Sequence, residues 1–97
     1  MTRALSEKLD ILNRAADLLS GDREEDYGDA ARNHQCIAAL ITAYLANRQG
    51  DALTPTDAAI VLCLVKIARI AVNSAKLDNY TDLAAYAAIA GECRHYG

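Results

Sequence analysis

The run Thr54 to Asn73, TPTDAAIVLCLVKIARIAVN, decides the fold, because it reads as a helix that is apolar nearly all the way round. Thr54 stands where an N-cap accepts backbone N–H bonds. Pro55 takes the first helical position, where its missing N–H costs nothing, and Asp57 takes the third. A helix apolar on most sides is an element built for the interior. Beyond its first turn only Lys66, Arg69 and Asn73 interrupt the apolar surface, and residues three and four apart share one stripe. A cationic stripe on an interior helix needs a counter-charge, and the next segment offers Asp78 and Asp82, one turn apart.

Outward from this helix the same periodicity recurs. Leu5, Leu9, Leu12, Ala16 and Leu19 repeat at spacings of four and three, which predicts an amphipathic helix over about residues 4–20, stopped by Gly21. DREEDYG, Asp22 to Gly28, is dense in acids and turn formers and reads as a surface loop. Asp29 is placed to start a helix over about 29–48 whose apolar side carries Ile37, Leu40, Ile41, Tyr44 and Leu45. The central helix runs over about 55–74, and a last one over about 79–93, where the small residues of LAAYAAIAG let a neighbouring backbone approach closely. No strand alternation and no hairpin turn appears. The expectation is one all-α domain over residues 1–97, a four-helix bundle or a close relative.

Composition narrows what such a domain can do. Apolar residues make up 53% of the chain, with no Trp and no Phe. Four short helices have too little interior for so many apolar side chains, so a homo-oligomer is expected. The net charge is -3 with both signs interspersed, which argues against a duplex nucleic acid as partner. Glu7, Asp10 and Asp17 break up the N-terminal apolar residues, unlike a signal peptide. No stretch approaches the roughly 18 apolar residues of a membrane span. A cytoplasmic protein is the expectation. Cys36, Cys63 and Cys93 are odd in number and form no CxxC pair, so they read as small core residues, with one exposed thiol as the exception.

Three constellations are candidate chemistry. In the first, Lys66 and Arg69 hold a phosphate while Asp78 and Asp82 hold a magnesium ion bridging to it. Against this stands an interhelical salt bridge, Arg69 to Asp82, that merely quenches charge. The second is the loop and start of the second helix: Arg23, Tyr27, Asn33 and His34, a guanidinium, an aromatic face and hydrogen-bonding groups beside a helix N-terminus, which suit a nucleotide. Its plain alternative is a solvated loop capped by Asp29, with His34 only hydrogen-bonded. The third is Tyr86, one turn beyond Asp82 and able to stack on a base, or else a core anchor like Tyr44. Walker-type loops, HExxH and nucleophile elbows are absent from the sequence.

Taken in order, R23xxxYGD29, N33H34, P55xD57, K66xxR69 and D78NYxD82LAAY86 resemble a family of small phage and prophage proteins of unassigned function, over roughly residues 11–93. More remotely, DxxxDLAAYAA preceded by a KxxR helix is similar to the last two helices of MazG-like all-α nucleoside triphosphate pyrophosphohydrolases. That likeness implies nucleotide binding and magnesium held by acids from two helices. The chain departs from the pattern in the second helix, which has no acid between Asp29 and Asp51. The resulting expectation is a phage-type nucleotide-binding protein, in the host cytoplasm if phage-encoded, resembling a magnesium-dependent pyrophosphohydrolase. Two alternatives stay open: a non-catalytic protein that sequesters a nucleotide or cyclic-nucleotide messenger, and a structural or interaction module.

Overall fold

The computed structural model describes residues 3–21 and 28–96, and among them the chain is helical with no strand. The elements are α1 (Arg3–Leu19), α2 (Ala30–Asn47), α3 (Pro55–Val72) and α4 (Leu77–Cys93), followed by a 3-10 turn, Arg94–Tyr96. The all-α class holds. Arg23 and Tyr27 lie outside the described residues.

Local chemistry explains where the helices begin. Thr54 Oγ1 accepts the Asp57 N–H at 3.1 Å while Asp57 Oδ2 accepts the Thr54 N–H at 2.8 Å, a reciprocal capping box at the start of α3. Asp29 Oδ1 accepts the Ala31 N–H at 3.2 Å and caps α2. Gly28 precedes that cap at φ 71°, and a Cβ there would lie 3.6 Å from Val72 Cγ1. A left-handed residue seated against another helix is best served by glycine.

The junction between α3 and α4 departs slightly from the spacing-based expectation. α3 ends at Val72 and α4 begins at Leu77, two residues before position 79. The cause is a compact turn: Asn73 Oδ1 accepts the Ala75 N–H at 3.3 Å, and the Tyr80 hydroxyl donates to the Ser74 carbonyl at 2.8 Å. These bonds let the helix start sooner than the sequence pattern suggests.

α3 is the centre of the arrangement. α2 packs along it and so does α4, whereas α2 and α4 make no packed pair with each other, and α1 packs against none of the other helices among the described residues. The buried apolar residues there are Ala59, Cys63, Ala68 and Ala90, all small. Small side chains let helix axes approach closely, but each removes little apolar area from water. Many leucines and isoleucines therefore stay exposed, Leu12, Leu19, Leu62 and Ile67 among them. No helix among the described residues is long and apolar enough to cross a membrane.

Candidate functional site

The face of α3 that meets α2 carries a cavity. Its volume is about 370 Å³, and Ala68, Ala71 and Val72 of α3 face Gly28, Asp29, Arg32, Asn33 and Cys36 across it. The walls are mainly apolar. Asn33, 9% exposed, is the polar residue set deepest, and its Nδ2 donates to the Ala68 carbonyl at 3.1 Å. An amide has two N–H donors and one acceptor oxygen, so this bond uses only part of what Asn33 offers. Arg32 and Cys36 are exposed at the rim.

The opposite face of α3 meets α4, and here the cationic stripe is quenched. Lys66 Nζ lies 2.9 Å from Asp82 Oδ2, with the lysine side chain 14% exposed and the aspartate 48%. Lys66 of the stripe is thus ion-paired with Asp82. Lys66 and Ala68 are two positions apart, about 200° round the helix, so Lys66 points at α4 while Ala68 points at α2. Arg69 is half-buried, Tyr86 is half-buried on α4, and Asp78 is exposed in the first turn of that helix. Cys63, buried on the same seam, donates its thiol to the Leu83 carbonyl at 3.9 Å, and burial pushes that thiol's pKa up.

Of the residues singled out by sequence, the fold brings Asn33 to the α2 side of α3 and Lys66, Asp82 and Asp78 to the α4 side. They do not converge on one pocket. His34 is exposed, and its Nδ1–H donates to the Ala30 carbonyl at 2.7 Å, as in the plain alternative to a nucleotide contact. Among the described residues no three His, Cys, Asp or Glu side chains are grouped so as to hold a metal ion.

Two features have no warning in the sequence. Asp57 is a cap by its spacing and Tyr44 a packing residue, yet the Tyr44 hydroxyl donates to Asp57 Oδ1 at 2.6 Å and Arg48 Nη2 reaches Asp57 Oδ2 at 2.7 Å. Arg48 also donates to the Gly50 carbonyl and, at 2.5 Å, to that of Ala52. The guanidinium of Arg48, then the Tyr44 hydroxyl and the Thr54 N–H, hold the Asp57 carboxyl far below the usual carboxylate range. The same hydrogen bond to Asp57, aided by burial, raises the Tyr44 phenol above its ordinary value. This cluster ties the end of α2 to the start of α3. The second is Asn79, 2% exposed on the first turn of α4, whose Nδ2 is buried with no hydrogen-bond partner. A buried donor left unmade costs about 1–3 kcal/mol.

Comparison with known proteins adds a lineage. The profile of the family described as "Domain of unknown function (DUF6378)" matches residues 10–94. The chain is 41% identical over 81 residues to the Gene 55 protein of Mycobacterium phage L5, a match covering 84% of this chain and 50% of that protein. It is 36% identical over 77 residues to the Gene 55 protein of Mycobacterium phage D29, covering 79% of this chain and 48% of that protein. The chain thus spans about half the length of the curated relatives it matches. No solved structure matches it.

Proposed function

We propose, from the premise that this chain belongs to the DUF6378 family, that it binds a small ligand of the nucleoside or nucleotide class in the cavity between α2 and α3. The observation that carries the reading is the cavity itself, about 370 Å³ with apolar walls and Asn33 set into them. Ligand sites commonly enclose about 300–1,000 Å³, mostly apolar, with a few convergent polar groups. A planar base suits walls built of Ala68, Ala71 and Val72, and the amide of Asn33 suits its hydrogen-bonding edge. Asp29 already caps α2, so any anionic part of the ligand falls to Arg32 at the rim.

Binding without turnover is the better supported form. A pyrophosphohydrolase would use Asp78 and Asp82 for magnesium, and these lie across α3 from the cavity, with Asp82 engaged by Lys66. α2, which lines the cavity, supplies no carboxylate beyond its cap until Asp51. Sequestration of a nucleotide or cyclic-nucleotide messenger needs only the cavity and its rim. The Lys66–Asp82 pair also favours a second reading, an interaction module whose charges lock its helices together.

Cys36 provides the test, since its exposed thiol lines the cavity. Alkylation by N-ethylmaleimide, followed by peptide mass spectrometry, should slow at Cys36 but not at Cys93 when adenosine, AMP, ATP or a cyclic nucleotide is present, and the same compound should raise Tm. If millimolar concentrations across that panel change neither quantity, the ligand reading fails and the interaction module stands.

A further inference from the structure

The central helix lacks a second layer. Apolar helical faces become buried only when another layer packs on them, yet among the described residues α3 is flanked only by α2, α4 and the short 3-10 turn that ends α4, and α1 packs on none of these. Ile67 and Leu62 of α3 are both exposed. Five residues place them about 140° apart round the helix axis, so both open sides of α3 present an apolar side chain. α1 has the converse problem. Leu9, Leu12 and Leu19, spaced by three and then seven residues, lie along one side of the helix, and they are exposed together with Ile11 and Leu18.

Surface areas indicate how much cover is missing. A compact monomer of 10.4 kDa exposes about 5,400 Å², whereas this chain exposes 7192 Å². Its radius of gyration is 16.7 Å, against about 12.5 Å for a compact domain of this length. The excess is about 1,800 Å² per chain, or about 3,600 Å² for a pair, inside the range of roughly 2,000–5,000 Å² typical of obligate homodimers. A two-fold assembly meets the need with a single set of surfaces, because every chain brings both an unpartnered helix and an uncovered layer. Charge does not oppose it: Glu7, Lys8, Asp10, Arg14 and Asp17 mix signs along the exposed polar side of α1.

We infer that α1 of each chain packs, through Leu9, Leu12 and Leu19, over an open apolar side of α3 in a second copy, so that the folded unit is a dimer with exchanged N-terminal helices. This stands apart from the ligand reading, since the cavity lies on the α2 side and needs no partner chain. Light scattering after size exclusion should give twice the mass of 10.4 kDa. In a mixed sample of isotope-labelled and unlabelled chains, filtered NOEs should connect α1 leucine methyls of one chain to Ile67 or Leu62 of the other. The double variant Leu12→Lys, Leu19→Lys should elute as a monomer, and if it does not fold, the filtered NOEs decide alone. A wild-type monomer at about 100 μM, well above the Kd of obligate homodimers, would overturn the inference. So would a dimer in which every α1 contact stays within its own chain.

Discussion

Replacing Asn33 by Asp tests the contact that joins the two walls of the cavity. The side chains are nearly isosteric and have similar helix propensities, so the change isolates one N–H donor and one charge. In the native chain that donor reaches the Ala68 carbonyl at 3.1 Å from a residue that is 9% exposed, and Ala68 is fully buried. A neutral buried hydrogen bond contributes about 1 kcal/mol, and a carboxylate facing a carbonyl without a donor adds a desolvation cost of about 1–3 kcal/mol. The N-terminal end of α2 favours the new anion by about 0.5 kcal/mol, leaving a net loss of about 2–3 kcal/mol at neutral pH. For a domain of this size that is a fall in Tm of at least about 8 °C. The sign with pH is distinctive. Burial beside a carbonyl raises the folded-state pKa of the new carboxyl, so the penalty is present above that value and relieved below it, where the protonated carboxyl donates to Ala68. Calorimetry at fixed protein concentration, at pH 7.5 and again near pH 5, reads both effects relative to the native chain. A Tm within 2 °C of native at pH 7.5, or a large loss that does not shrink on acidification, would refute the reasoning.

Three other outcomes follow from the same geometry. Asp57 stays ionised in the folded chain where the unfolded chain takes up a proton, so its contribution is present above about pH 4 and fades as pH falls; Asp57→Asn should therefore flatten the acid limb of the urea midpoint against pH, and an unchanged limb would remove Arg48 and Tyr44 as the cause. Lys66→Met should leave Asp82 half-exposed and hydrated, causing a modest loss of Tm and no change in nucleotide protection of Cys36; loss of that protection would move the ligand to the α4 side of α3. Asn79→Leu removes a buried donor that has no partner, so Tm should rise, and a fall would reveal a partner for that amide in solution.

Much of the fold was legible because its signals are local. The capping box of Thr54 and Asp57, the Asp29 cap, and the glycines at 21, 28 and 50 act within a few residues, and the structure places each at an element boundary. The candidate site was legible only in pieces. Sequence spacing put Lys66, Arg69 and Asn73 on one stripe, but not the direction in which that stripe points, and Asn33 came to lie across α3 from it. Tyr44 and Asp57 were each assigned a sufficient local role, packing and capping, and nothing local revealed that the two meet.

By itself the sequence determined the all-helical class, the capped starts of α2 and α3 and the phage lineage, because caps, periodicity and an ordered motif set are one-dimensional properties. Tertiary structure alone decided which cation meets Asp82, which side of α3 holds the cavity, and that α1 lies apart from the layer. Those outcomes depend on how helices rotate about their axes and pack across distances of many residues, and each rotation is set by the sum of its contacts rather than by any short stretch of chain.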